Sequence, residues 1–159
     1  MPTITLHRPA MDELSFRQSL LADPATMAFN HAYGGTIDFP AERWADWYAR
    51  WVEDDTGQRF YRYLYDAGRA AFVGEVSYHF DNELNAYICD VIVPAAHRGR
   101  GCGSRGLTLL CQAAKERGVS RLQDNIAVDN PSVSIFLKSG FWETYRNDEY
   151  ILVAKDLRP

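Results

Sequence analysis

A basic, glycine-rich turn joins an apolar strand to a helix in the second half of this 159-residue chain. Residues 91–93 read Val-Ile-Val, and residues 98–103 read Arg-Gly-Arg-Gly-Cys-Gly. Glycines let a backbone approach a ligand closely, and the first N–H groups of a helix have no partner within it. Because a helix start also carries partial positive charge, the pattern predicts a site for a pyrophosphate. A turn without a ligand is the competing interpretation, but it leaves the two arginines without a role.

Two common phosphate-binding motifs fit this turn poorly. A P-loop requires a lysine directly after its glycines, and none follows here. The dinucleotide fingerprint G-x-G-x-x-G is met by residues 101–106, and Asp124 follows at about the expected distance of roughly 20 residues. However, residues 94–100 separate the strand from the glycines, and too few strand–helix units follow to complete a doubly wound sheet. A dinucleotide-dependent enzyme is therefore only the third hypothesis.

A third pattern, R-x-x-G-x-G, is met by Arg98, Gly101 and Gly103. It resembles the acyl-CoA-binding motif of the GNAT superfamily of N-acetyltransferases. Residues 129–141 are similar to a second segment of that family, N-x-x-S/A…Y-x-K-x-G-F. Two linked motifs are more specific than either alone, and the chain is identified as a bacterial-type member of the superfamily. The first 60 or so residues resemble the family only in their order of strand and helices.

The resemblance implies that an acetyl group passes from acetyl-CoA to a primary amine of a small molecule or peptide by direct attack, without a metal. The residues that it assigns to acetyl-CoA are Val91, Val93, Arg98, Gly99, Arg100, Gly101, Cys102, Gly103, Ser104, Asn130 and Lys138. The alignment of the second motif is uncertain by one residue. Asn130 matches the family's asparagine in type, but Asp129 fits the spacing to the later motif residues better. Asn130 is equally suited to cap the helix that follows it.

The chain departs from the family at the position of its proton donor. Many members carry a tyrosine in the last helix that protonates the departing thiolate, whereas this chain has Phe136. A phenylalanine cannot donate a proton. Either another group is the acid, with Tyr145 as a candidate, or the thiolate leaves unassisted, since a thiol of pKa about 8.5 is a tolerable leaving group. This departure leaves a second hypothesis, a non-catalytic acyl-CoA-binding or regulatory module.

The general base is also open, and the candidate catalytic residues are Glu75, Asp90 and Tyr87. Some family members place a glutamate on the strand before the glycine loop, and that position matches Tyr87 here. Residues 81–83 predict a turn between two strands, which brings Glu75 and Asp90 roughly opposite each other. Two facing carboxylates raise one pKa and hold a cation. The alternative is that both face solvent or pair with arginines.

The periodicity predicts one domain, residues 1–159, of the α/β (α+β) class, with a mixed, mostly antiparallel sheet flanked by helices. Strands are predicted at 3–7, 60–66, 69–80, 85–93, 121–128, 142–146 and 149–155. Helices are predicted at 9–20, 23–27, 41–53, 104–117 and 131–139. The fold that the resemblance implies has this same order of elements.

The helix at 41–53 carries an aromatic stripe at Trp44, Trp47, Tyr48 and Trp51, spaced i, i+3, i+4 and i+7. Core packing is the favoured interpretation, and a wall of the acceptor pocket or a dimer contact is the alternative. The candidate pocket residues are Tyr33, Trp44, Trp47 and Tyr78.

The formal net charge of −4 does not favour a nucleic-acid partner and is compatible with a cationic substrate. Three cysteines lack metal-ligand spacing and indicate reduced thiols in a cytoplasmic protein. No apolar run has the roughly 18 residues of a membrane span, so no membrane partner is expected. A homodimer is expected because members of the superfamily often pair.

Overall fold

Short alternating strands separated by turns assemble into one sheet in the computed structural model, which describes residues 3–158. Within these residues the strands are β1 (Ile4–His7), β2 (Arg59–Asp66), β3 (Ala71–Asp81), β4 (Ala86–Ile92), β5 (Arg121–Ala127), β6 (Trp142–Arg146) and β7 (Tyr150–Asp156). The α-helices are α1 (Leu14–Ala22), α2 (Trp44–Trp51), α3 (Cys102–Glu116) and α4 (Val133–Lys138). No helix between residues 3 and 158 combines the length and the apolar character that crossing a membrane requires.

The sheet has the order β1-β2-β3-β4-β5-β7-β6, and every neighbouring pair is antiparallel except β4 and β5. This confirms the predicted mixed, mostly antiparallel sheet. The parallel pair is short, because only Tyr87 with Leu122 and Ile88 with Gln123 are in register. Both strands continue beyond this point, so they separate toward their carboxyl ends and leave a wedge between them.

Alternating residues of the strands divide between two cores, one on each face of the sheet. On one face, Leu107 and Leu110 of α3 pack with Phe60 and Leu64 of β2, and we call this the α3 face. On the other face, helices α1 and α2 pack against Tyr61 and Tyr63, and we call this the α1 face. Which face a residue of β3, β4 or β5 belongs to therefore decides which side of the wedge it reaches.

Two local features differ from the sequence-based expectation. The predicted helix at 23–27 is wrong, because these residues form turns instead. The Asp23 carboxylate accepts a hydrogen bond from the Ala25 N–H at 3.3 Å, and the Met27 N–H donates to the Asp23 carbonyl at 3.0 Å, so the segment makes one turn that does not continue as a helix. In β3, Val73 is an extra residue in the pairing with β2, since Leu64 pairs with Gly74 and Tyr65 with Phe72.

Candidate active site

The wedge between β4 and β5 opens into a cavity of about 1180 Å³. Residues 90–93 of β4 and its end, together with residues 124–128 of β5 and its end, form the inner walls. Residues 29–33, between α1 and α2, line it on the α1 face, and the first residues of α3 and α4 line it on the α3 face. This volume exceeds the usual range for one small ligand, which leaves room for two substrates side by side.

The glycine loop presents unpaired N–H groups to this cavity. Gly99 and Gly101 have φ of +76° and +83°, a backbone conformation that favours glycine. The N–H of Arg105 donates to the Gly101 carbonyl at 3.0 Å and begins the bonding of α3. The N–H groups of residues 102–104 therefore lack an acceptor within the helix, and all three residues line the cavity. This arrangement suits an anionic group such as a pyrophosphate.

The predicted basic contacts, Arg98, Arg100 and Lys138, differ in whether they reach the cavity. Arg98 lines the cavity, but its guanidinium donates to the carbonyls of Val93 at 3.1 Å and Thr26 at 2.7 Å. It therefore ties the loop to the segment between α1 and α2. Arg100 and Lys138 are exposed and do not line the cavity, so the structure does not bring these two predicted contacts to the site.

The second motif reaches the cavity through Asp129 and Asn130. The Asn130 side-chain oxygen accepts the N–H of Ser132 at 2.9 Å and so stabilises the turn before α4. It does not cap the helix, because α4 begins at Val133 and Ser132 is its N-cap. Asp129 lies 3.2 Å from His31 across the cavity mouth. Phe136 is buried and lines the cavity from α4.

Glu75 does not reach the cavity. The register places Ile92 opposite Glu75 and Ser77 opposite Asp90, so the two carboxylates lie diagonally on the same face of the sheet, two positions away from a direct pair. Glu75 is only 5% exposed, and Nη1 of Arg17 donates to its two oxygens at 2.7 and 2.6 Å. The Tyr61 hydroxyl also donates to it. A carboxylate held this way is not free to accept a proton from a substrate.

The aromatic stripe of α2 packs in the core of the α1 face and does not line the cavity. The guanidinium carbon of Arg17 lies 4.5 Å from the ring centroid of Trp47, within cation–π range. Trp47 is 8% exposed, and Trp44 donates its Nε1–H to the Phe39 carbonyl at 3.0 Å. The core-packing interpretation of the stripe is therefore the one that the structure supports.

The remaining predicted aromatic residues lie in two different places. Tyr78 is 1% exposed and stacks on Phe60 on the α3 face, with 5.3 Å between ring centroids. Tyr87 packs against Tyr78 and Phe80 and does not line the cavity. Tyr33 lines the cavity and is 77% exposed at its rim. The structure thus brings only Tyr33 of this set to the site.

Asp90 is the predicted catalytic residue that does line the cavity, at the point where β4 has separated from β5. Its side chain is exposed to the cavity. Desolvation raises the pKa of Asp90 to about 6, with a further increase from Glu75 that Arg17 opposes. A carboxylate with this pKa is mostly ionised at neutral pH and still basic enough to accept a proton.

Sequence reasoning missed Asp124 as a residue of this site. It lines the cavity from β5, directly after Gln123, the last residue of β5 in register with β4. Desolvation and the charge of Asp90 hold the pKa of Asp124 well above its usual range. The sequence did contain a sign of this role. Asp124 is a carboxylate on the strand face that is otherwise apolar, between Leu122 and Ile126.

The cysteines near the site are poorly suited to act as nucleophiles. Cys89 is fully buried, and desolvation raises the pKa of its thiol well above the ordinary value. Cys102 lines the cavity, and desolvation raises its pKa as well. Because the thiolate is the reactive form, neither residue is suited to carry the acyl group.

Among residues 3–158, no three His, Cys, Asp or Glu side chains cluster closely enough to hold a metal ion.

A family model described as "Acetyltransferase (GNAT) family" matches residues 20–141. The chain belongs to this family. It is accordingly an acyl-CoA-dependent N-acetyltransferase, and acetyl-CoA is its acetyl donor. A comparison with curated protein sequences finds no match.

Solved structures share the fold of this acetyltransferase over nearly its whole length. The N-acetyltransferase from Staphylococcus aureus Mu50 is 16% identical, with a TM-score of 0.78, and the match covers 98% of this chain and 99% of that one. The ribosomal-protein-alanine N-acetyltransferase from Brucella melitensis is 20% identical, with a TM-score of 0.75 and coverages of 96% and 99%. The spermidine N-acetyltransferase from Vibrio cholerae, in complex with CoA and spermine, is 17% identical, with a TM-score of 0.74 and coverages of 97% and 95%.

Proposed function

We propose that this acetyltransferase transfers the acetyl group of acetyl-CoA directly to a primary amine of a small molecule or a peptide. One observation carries the proposal: the unpaired N–H groups at the start of α3 and the Asp90 carboxylate line the same cavity. The pyrophosphate of the donor requires an anion site, and the protonated amine requires a base, so one cavity supplies what both substrates need.

The donor side follows from the backbone. The pyrophosphate of acetyl-CoA binds the N–H groups of residues 102–104, next to the turn at Gly99 and Gly101. Residues 91–93 have lost β5 as a neighbour, so one edge of this segment is open to the amides of the pantetheine arm. An N–H group on that edge is also suited to stabilise the oxyanion that forms at the thioester carbonyl.

The acceptor side is the α1 face of the wedge. Asp90 attracts the ammonium group of the acceptor and accepts one of its protons. The free amine then attacks the thioester carbon, and the C–S bond breaks to release CoA. Cys89 and Cys102 both have raised pKa values, which favours this direct route over a route through a thiol.

The experiment is a turnover assay with acetyl-CoA and one member of each amine class: spermidine, a free amino acid and a peptide with N-terminal alanine. Released CoA is measured with a thiol reagent, and the acetylated amine by mass spectrometry. We expect amine-dependent release with at least one class, and a fall in kcat of about 10²-fold in Asp90→Asn. The control is Asp46→Asn, since this carboxylate lies on the outer surface of α2 and is 84% exposed. Binding of acetyl-CoA without acetylation of any amine would contradict the proposal.

The homodimer and the cytoplasmic location stay predictions. Sedimentation of the purified chain over a concentration series tests the first, and fractionation of the source cells tests the second.

A further inference from the structure

A protonated sulfur leaves the thioester carbon more readily than a thiolate does, and Phe136 fills the position of the family's proton-donating tyrosine. We propose that Asp124 protonates this sulfur, and that Asp90 and Asp124 act as an acid–base pair on the two sides of the wedge. This assignment rests on the proposed transfer of an acetyl group to an amine. It adds a catalytic residue on β5 to the base on β4.

The two carboxylates belong to opposite faces of the sheet. Asp90 pairs with Ser77, which lies on the same face of β3 as Glu75. Asp90 therefore belongs to the α1 face. Asp124 alternates with Leu122 and Ile126, which pack in the core of the α3 face. If β4 and β5 remained paired here, the sheet would separate the two carboxylates. Both line the cavity because the two strands have moved apart at this point. A thioester in the wedge has its acceptor on the Asp90 side and CoA on the Asp124 side.

The other hydroxyl groups of the cavity are less well placed to act as the acid. Tyr150 lines the cavity, but it pairs with Ala127 and so belongs to the α1 face, on the acceptor side. Tyr33 lies at the exposed rim. Tyr145, the candidate from the sequence, is half-exposed on β6 and does not line the cavity. Ser132 and Ser134 of the second motif are too weakly acidic for the task.

The surroundings of Asp124 keep its proton in place. The nearby groups on β4 are Asp90, whose negative charge disfavours ionisation, and the thiol of Cys89. Its neighbour across β7 is Val153, and the residues of α3 and α4 that line the cavity are uncharged. Within residues 3–158 no cation pairs with Asp124. Its carboxyl accepts a hydrogen bond from the N–H of Asn125 at 2.7 Å, which favours the ionised form, but desolvation and the charge of Asp90 have the larger effects on its pKa. When the surroundings of two carboxyl groups move their pKa values apart, the group with the higher pKa can act as the acid and the other as the base.

The protons balance over one turnover. Asp90 accepts one proton from the ammonium, the nitrogen bonds to the thioester carbon, and the sulfur takes the proton of Asp124 as the C–S bond breaks. The second proton that the nitrogen loses on becoming an amide returns to Asp124. Asp90 then gives its proton to water, and the pair is ready for another cycle. The net products are the acetylated amine, CoA thiol and one proton.

The test measures kcat across pH for the wild type, Asp124→Asn, Asp124→Glu and Tyr150→Phe, with the fastest amine of the panel above. The wild type should give a bell-shaped profile, because the base must be ionised and the acid protonated. Asp124→Asn should lose the alkaline limb and about 10²-fold in kcat, with unchanged binding of acetyl-CoA by calorimetry. Asp124→Glu and Tyr150→Phe should each keep the alkaline limb.

The opposite results would overturn the assignment of Asp124. These are a wild-type profile without an alkaline limb, an Asp124→Asn profile that retains one, or loss of the limb in Tyr150→Phe. Loss of acetyl-CoA binding in a folded Asp124→Asn variant would place the residue in donor binding and also overturn it. Amine-dependent turnover by the wild type keeps the proposed function intact in all these cases, whereas its absence would refute that function itself.

Discussion

Replacing Arg17 by methionine should destabilise this acetyltransferase more than most single substitutions do. The guanidinium is largely buried and donates to both oxygens of Glu75, which is itself 6% exposed at its side chain. Methionine fills much of the volume but leaves the carboxylate buried with the Tyr61 hydroxyl as its neighbour. Breaking a buried pair by removing one partner costs roughly 3–5 kcal/mol, and the lost cation–π contact with Trp47 adds to this.

We therefore expect the free energy of unfolding of Arg17→Met to fall by about 3–5 kcal/mol. The assay is urea unfolding followed by tryptophan fluorescence, since Trp47 lies directly beside the substituted side chain. Adding Glu75→Gln removes the uncompensated charge, so the double variant should recover much of the loss. The matched control is Arg50→Met, whose surface pair with Asp46 should contribute under about 1 kcal/mol.

Two results would refute this reasoning. The first is a loss below about 1 kcal/mol in Arg17→Met, the size expected of a surface pair. The second is a double variant whose loss equals the sum of the two single losses, because additivity shows that the partners do not interact.

The remaining predictions concern the donor site, the packing of α3 and the pH dependence. Gly103→Glu should abolish acetyl-CoA binding in calorimetry, because it places bulk and negative charge at the start of α3; unchanged binding in a folded variant would mean that the glycine loop is misassigned. Gly106→Ala should lower the free energy of unfolding by about 1–3 kcal/mol, since its new Cβ would lie 2.5 Å from Leu64 Cδ1; an unchanged urea midpoint would contradict this close packing. The rate of acetyl transfer should rise as pH increases through about 6, because Asp90 accepts a proton only when ionised; the Asp90→Asn profile should lack this rise.

The local order of the chain could be predicted from sequence alone. Alternating apolar residues mark the strands, and the glycines near residue 101 mark a turn that only a few backbone conformations satisfy. Such signals depend on residues near one another in the chain. Apart from the helix expected at 23–27, the order of elements follows from the amino-acid sequence itself, and so do the glycine loop and the family motifs.

The assignment of the carboxylates depended on contacts between distant parts of the chain. Arg17 and Glu75 are separated by 58 positions, and nothing in the local pattern shows that this arginine occupies that carboxylate. The separation of β4 from β5 likewise brings Asp90 and Asp124 to one cavity although their strands place them on opposite faces. Sequence periodicity determined which residues belong to the same strand face. Only the tertiary structure decided which carboxylate is neutralised in the core and which lines the cavity, because register and strand separation result from packing across the whole sheet.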